Sequence, residues 1–259
     1  ALGSMLSSTD ATGNTTSFVY DSAGRTQLVI DAHGNTLEYW HDLAGRVVQE
    51  QSPDRGTLAY GYDALGQLLN STNALGVTLL FDYDVLGRKI AQYSPDSTIV
   101  WEYDTAANGV GLLAGVRETS ASSGFMLFAQ QLSYDSLSRP CNVTELLPDA
   151  GVFTTLHRYD AFSRVNCSTL PTGLITECVQ YNQWGFMQSS FDPASGQVFR
   201  AVSAMDARGN VVEQQLNGGA VTTTRGYDSR NRIVSIVSVA ANGTAVQNMK
   251  FGWDADGSL

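Results

Sequence analysis

Positive charge is scarce in this sequence, and lysine most of all. The 259 residues include two Lys (Lys89 and Lys250) and thirteen Arg against 25 Asp plus Glu, a formal net charge of −10. A field of that sign repels polyanions, so nucleic acid is not an expected partner, and heparin-like glycans and anionic membrane surfaces are disfavoured. The acidic excess is read as a solubility feature. Cysteine is equally rare. Cys141, Cys167 and Cys178 are too few to be the main staple of so long a chain, and they lack zinc spacing. No apolar run approaches the roughly 18–20 residues that cross a bilayer, so direct membrane insertion is not expected. Only 15% of residues are charged and 43% are apolar, which excludes intrinsic disorder. No segment keeps 3.6-residue apolar spacing, so no helix is expected. The stretch from Ala106 to Gly124, with Gly109, Gly111 and Gly115 inside it, favours loop and hairpin. No nucleophile elbow, phosphate-cradling loop or dinucleotide fingerprint occurs, and no cofactor is expected.

What the chain has instead is a repeat. An aromatic residue, Asp, two variable residues, Gly and Arg recur as Tyr20-Asp21-Ser22-Ala23-Gly24-Arg25 and as His41-Asp42-Leu43-Ala44-Gly45-Arg46. They return as Tyr62-Asp63-Ala64-Leu65-Gly66-Gln67 and as Tyr83-Asp84-Val85-Leu86-Gly87-Arg88, and Tyr103-Asp104 opens another copy. The Asp positions 21, 42, 63, 84 and 104 set a period of 20 to 21 residues. Half-way copies lie at Asp10 to Gly13, Asp31 to Gly34 and Asn73 to Gly76, with Pro53-Asp54-Arg55-Gly56 and Pro95-Asp96 in the same slot. From residue 105 onward the copies loosen: Tyr134-Asp135, Tyr159-Asp160, Tyr181-Asn182, Met205-Asp206, Tyr227-Asp228 and Trp253-Asp254. We therefore divide the array into regular repeats over 1–104 and looser ones over 105–259, in one repeat domain.

The chemistry of one copy predicts its shape. Asp at the start of a turn accepts hydrogen bonds from backbone N–H groups two and three residues on. Gly three residues after it takes positive φ freely, so Asp-x-x-Gly is a type I turn closed by a left-handed residue. About six residues remain for a strand. Pairs such as Phe18 and Tyr20, Tyr60 and Tyr62, and Phe81 and Tyr83 put two aromatics on one strand face. The expected fold is all-β: a long antiparallel meander of short hairpins that curls into a spiral or open-barrel shell segment. The Arg after each Gly is expected to reach the Asp or Tyr of a neighbouring repeat, forming a ladder. Ser138 and Ser163 replace the turn Gly, at about 1 kcal/mol of strain each.

Tyr-Asp-x-x-Gly-Arg at this period, with Asp-x-x-Gly-Asn half-repeats, resembles the YD repeats of Rhs proteins along nearly the whole chain. Asn108-Gly109-Val110-Gly111-Leu112-Leu113 and Thr224-Arg225-Gly226-Tyr227-Asp228 add to the likeness. The resemblance implies a β-strip that spirals into a hollow shell. In bacterial Rhs and toxin-complex proteins that shell encloses a C-terminal toxic polypeptide; in teneurin-like proteins a similar barrel belongs to a cell-surface adhesion receptor. Family members near the toxin end carry an autoproteolytic aspartate in an Asp-Pro-x-Gly-Leu setting. Asp192-Pro193-Ala194-Ser195-Gly196 lacks that spacing and the Leu, and is read as another turn.

The resulting expectation is a non-catalytic structural segment, secreted or on the cell surface. Its partners would be adjacent repeats of its own longer polypeptide and a C-terminal effector, with glycans or a cell-surface protein as the other candidates. The alternative is an extracellular adhesion or carbohydrate-binding module that uses Trp40, Trp101, Trp184 or Trp253; the plainer expectation is that all four Trp are packed. Ala1-Leu2-Gly3 matches the tail of a half-repeat and Trp253-Asp254-Ala255-Asp256-Gly257 stops after a turn, so an internal fragment with open sheet edges, prone to aggregate, is expected. Asn14, Asn70, Asn142, Asn166 and Asn242 head glycosylation sequons. His33, His41 and His157 are scattered, with His41 in an aromatic slot. Cys167 and Cys178, one half-repeat apart, fit either buried free thiols, the default, or a disulfide across a hairpin.

Overall fold

Each Asp-x-x-Gly copy reverses the chain, and the β-branched and aromatic residues between copies form the strands. The computed structural model describes residues 3–171, 173, 175–254, 257 and 258. The terminal half-repeat residues Ala1 and Leu2, and Ala255 and Asp256 of the last turn, lie outside the described residues. Two compact units are present. The first comprises Ala1–Gln130 with Leu146–Ala150, the second Gln131–Glu145 with Gly151–Leu259.

The first unit carries β1 (Ser7–Thr9), β2 (Thr15–Tyr20), β3 (Thr26–Ile30), β4 (Thr36–His41), β5 (Val47–Ser52), β6 (Gly56–Tyr62), β7 (Leu68–Thr72), β8 (Thr78–Tyr83), β9 (Lys89–Tyr93), β10 (Ser97–Tyr103) and β11 (Leu113–Ser120). Each pairs antiparallel with the next, from β1 to β11. After β12 (Met126–Tyr134), β13 (Pro140–Leu147) and β14 (Gly151–Tyr159), the second unit continues with β15 (Val165–Thr169), β16 (Thr176–Tyr181), β17 (Met187–Phe191), β18 (Val198–Met205), β19 (Val211–Leu216), β20 (Val221–Tyr227), β21 (Ile233–Ala240) and β22 (Ala245–Lys250). From β14 to β22 the pairing is again antiparallel and in chain order. Among the described residues the one helical turn is 3₁₀, at Asn217–Gly219. The all-β meander is the fold the turn period implies.

The turn is a type I turn with a bulge. Gly24 N–H donates to the Asp21 carbonyl at 3.0 Å, and Asp21 N–H donates to the Arg25 carbonyl at 2.8 Å. Gly24 takes φ 80°, the left-handed region that an ordinary side chain resists. The strand register slips by one residue just before the aromatic position, at Val19/Tyr20, Trp40/His41, Gly61/Tyr62 and Asp82/Tyr83. That slip is how this hairpin class absorbs its odd residue. One detail of the sequence expectation needs correction. The Asp21 carboxylate accepts from N–H groups two and four residues on, Ala23 and Arg25, at 2.9 Å each, because the left-handed Gly swings the fourth N–H back beneath the carboxylate.

Ser138 and Ser163 hold φ 59° and 61° in the Gly slot. Exchange of Ser138 for Gly removes a left-handed Cβ and should raise stability by about 0.5–1 kcal/mol in urea denaturation. An unchanged midpoint would remove strain from the account of that turn.

Little of either unit is core. Among the described apolar residues only Phe81, Ala91, Ala114 and Cys178 are buried. The side-chain ledger is one of contacts along the sheet, not of a filled interior. Opposite the Tyr-Asp turns, Thr hydroxyls bond across the half-turns: Thr9 with Thr15 at 2.9 Å, Thr72 with Thr78 at 2.8 Å and Thr169 with Thr176 at 3.0 Å. Cys167 and Cys178 face each other on β15 and β16 and form a disulfide. The default of free thiols is therefore corrected: direct cross-strand register brings the sulfurs together. Cys141 is free.

Candidate functional site

A clasp between successive repeats is the recurrent chemical feature of the chain. It begins with the Asp. Arg46 Nε donates to its own Asp42 Oδ2 at 2.7 Å, which aims the guanidinium along the turn edge. Arg46 Nη1 then donates to the Asp63 carbonyl of the next repeat at 2.8 Å. The guanidinium lies over the Tyr62 ring, 4.8 Å from its centroid. Tyr62 closes the loop: its hydroxyl donates back to the Val47 carbonyl at 2.9 Å. One Arg and one Tyr thus tie this hairpin to its successor by a charge-assisted hydrogen bond, a cation–π contact and a back-bond.

The arrangement returns with local changes. Arg88 sits over Tyr103 at 4.4 Å and reaches both carboxylate oxygens of Asp104, at 3.1 and 2.6 Å. Arg139 lies over Tyr159 and Arg164 over Tyr181, at 4.4 and 4.0 Å. Tyr83, Tyr103, Tyr159, Tyr181 and Tyr227 all donate to a carbonyl of the preceding repeat. Trp253 takes the Tyr slot with its indole N–H on the Ile233 carbonyl at 2.7 Å, under Arg232. Arg25 makes the same reach to the Asp42 carbonyl at 2.8 Å, but His41 stands where the Tyr would be. Gln67 replaces Arg after Gly66. Tyr20 donates to the Met5 carbonyl at 2.7 Å. In the half-turns that begin at Asp10 and Asp31, Asn takes the Arg position and turns back on its own Asp, as Asn35 does with Asp31 at 2.7 Å.

The clasp fixes the charge state of its carboxylates. The Arg25 backbone N–H, against burial and with the Arg25 guanidinium, holds Asp21 below the usual carboxylate range; Asp42 and Asp228 follow the same pattern with Arg46 and Arg232. At Asp84, burial raises the pKa but the Arg88 N–H and guanidinium outweigh it. The Asn14 amide, then the Thr12 hydroxyl, take Asp10 from 3.8 to about 2. The Arg88 guanidinium, then the Gly111 N–H, take Asp104 equally low. A folded pKa below the unfolded value contributes stability that is complete above the unfolded pKa and lost as pH falls through the folded one. Melting temperature should therefore fall between pH 3.8 and about 2. A melt that is flat across that window would contradict this role for the turns.

The repeat breaks once conspicuously. At the turn after β16, Asn182 replaces Asp and Phe186 replaces Arg, and Met205 takes the next Tyr slot. Phe186 instead lies over Gly209, where a Cβ would stand 2.7 Å from its ring. A cavity of about 700 Å³ opens there, lined by Trp184, Phe186, Met187, Met205 and Arg208 among others. Trp184 is 74% exposed and Trp40 36%, which corrects the expectation that all four Trp are packed: Trp184 stands at a turn tip and Trp40 on a face of β4. The departures at 182, 186 and 205 are visible in the motif, whereas the cavity they open is not.

The remaining singled-out residues are dispersed. Asn14 and Asn242 are exposed on turns, while Asn70, Asn142 and Asn166 are part-buried in strands. The Asn166 carboxamide oxygen is enclosed without a partner. Asp192 accepts from the Ser195 hydroxyl at 2.6 Å within a closed turn. His157 Nδ1 meets the Ser168 hydroxyl at 3.0 Å. Among the described residues no three His, Cys, Asp or Glu side chains cluster as metal ligands would.

Residues 62–99 match the family model described as RHS Repeat. No curated protein matches the chain. Among solved structures, the chain is similar to the Photorhabdus luminescens Tc holotoxin pore carrying a TccC3 mutation. The TM-score is 0.68 at 17% identity, over 94% of this chain and 15% of that one. It is also similar to TcdB2–TccC3 without its hypervariable C-terminal region, with TM-score 0.75 and 19% identity over 96% of this chain and 14% of that one. The chain thus spans about a seventh of the length of these two matched chains, and at such identities the likeness is one of fold.

Proposed function

We propose that this chain, whose residues 62–99 match the RHS Repeat family model, is a YD-repeat protein and forms a section of wall in a β-shell that encloses or presents another polypeptide, such as a toxin. The likeness in fold to TcdB2–TccC3 across 96% of the chain carries this reading. The physical chemistry agrees with it. A sheet with so few buried apolar side chains is a partition, and each clasp stiffens it against the next hairpin. The role is structural and non-enzymatic, in a secreted or surface-exposed assembly. The test is protease challenge of the natural polypeptide that contains this strip. The segment beyond the repeats should survive until mild denaturant opens the shell. Digestion at the rate of the same segment released from the repeats would overturn the reading.

A second reading has one specific observation behind it. Trp184 stands exposed beside the cavity at the broken clasp, as an aromatic platform for a neutral sugar would. Binding on a neutral-glycan array that disappears on Trp184→Ala would favour an adhesion module; silence from the folded protein would count against it.

A further inference from the structure

The cavity of the second unit lies where a clasp would be. Asn182, Phe186, Met187, Met205, Asp206 and Gly209 line it, and they hold the places that Asp42, Arg46, Val47, Tyr62, Asp63 and Gly66 hold in an intact clasp. Phe186 takes the place of the guanidinium: it lies over Gly209 as Arg46 lies over Gly66. Met205 is a thin substitute for the ring. The Tyr62 hydroxyl donates to the Val47 carbonyl, but Met205 has no donor for the Met187 carbonyl. Phe186 has none for the Asp206 carbonyl, which keeps the Gly209 N–H at 3.1 Å. The strand that carries Met205 is altered as well. β18 slips register twice, at Val202/Ala204 and at Ala204/Met205, where β6 slips once, at Gly61/Tyr62. An added bulge bends its strand, and Ser203 and Ala204 at this one are exposed and border the cavity.

We propose that this cavity is a socket for a tyrosine side chain of another polypeptide segment. The chain itself specifies the occupant. At the same place in the flanking repeats, Tyr181 and Tyr227 send their hydroxyls to the strand carbonyls of Val165 and Val211, at 2.9 and 3.3 Å. A phenol ring arriving from outside meets the equivalent acceptor at Met187. Phe186, 44% exposed, and Trp184 beside it supply aromatic faces, against which a ring packs offset or edge-on. Met187 and Met205 are flexible thioethers that adapt to its outline. The volume of about 700 Å³ exceeds one ring and leaves room for the backbone that bears it. A phenol is neutral, so the net charge of −10 does not oppose its entry. The socket belongs to the broken clasp alone and does not depend on enclosure of another polypeptide.

Saturation-transfer NMR of the full chain with N-acetyl-L-tyrosinamide tests the proposal. The native chain should bind this probe. N-acetyl-L-phenylalaninamide, which lacks the hydroxyl, should bind about fivefold more weakly. Met205→Tyr should fill the socket from within. It should raise the dissociation constant of the tyrosine probe at least about tenfold, and the melting temperature by about 2–4 °C. The comparison of the two probes needs no variant and stands even where Met205→Tyr misfolds. No binding to the native chain, equal binding of the two probes, or a folded Met205→Tyr chain that binds as tightly would each overturn the proposal. Maltotriose binding that is lost on Met205→Tyr, with no binding of the tyrosine probe, would overturn it in favour of the sugar platform.

Discussion

Exchange of Tyr62 for Ala is expected to lower the stability of the chain by about 3 kcal/mol. Three losses act together. The part-buried ring loses its packing, the Arg46 guanidinium loses the face it lies over at 4.8 Å, and the Val47 carbonyl loses its donor at 2.9 Å. Tyr62→Phe keeps the first two and should cost only about 1 kcal/mol. A double-mutant cycle with Arg46→Ala isolates the contact between repeats, and its coupling should be about 0.5–1 kcal/mol. Urea denaturation of the four proteins provides the measurement. Strict additivity of the two single changes would mean that the two side chains touch without stabilising each other. Arg46 would then be held by its own turn alone.

Reduction of the Cys167–Cys178 disulfide is expected to cost about 2–3 kcal/mol. The bond closes a sequence separation of 11 residues between two neighbouring strands. Its removal restores the conformational freedom of that loop in the unfolded chain, which is where most of the effect arises in the chain-entropy account. Thiol titration of the denatured protein should find one reactive group before reduction, that of Cys141, and three afterwards. Three thiols without reductant, or a denaturation midpoint indifferent to reductant, would contradict the pairing.

The turns were legible in the residues because each carries its own chemistry. Asp accepts backbone N–H groups, Gly supplies the left-handed angle, and the interval leaves room for one strand. This local logic extends even to Ser138 and Ser163, which adopt the Gly conformation at φ 59° and 61°. Contacts between repeats were legible only in outline. A reach from Arg to a neighbouring repeat follows from the repeat, but its target at Asp63 is a backbone carbonyl, which every residue has and no motif reveals. The Tyr hydroxyl bond back to the preceding repeat is hidden for the same reason. The Cys pair needed the register of β15 against β16, which the loosened spacing of the later copies obscures. At residues 182, 186 and 205 the replaced motif letters are plain, but the volume left behind depends on how Phe186 settles over Gly209.

Electron cryo-microscopy of the natural polypeptide that contains this strip tests the wall most directly. The account predicts the 22 strands from Ser7 to Lys250 as part of a closed β-surface, with polypeptide density on its inner side. A strip with solvent on both faces and no enclosed or presented chain would contradict it.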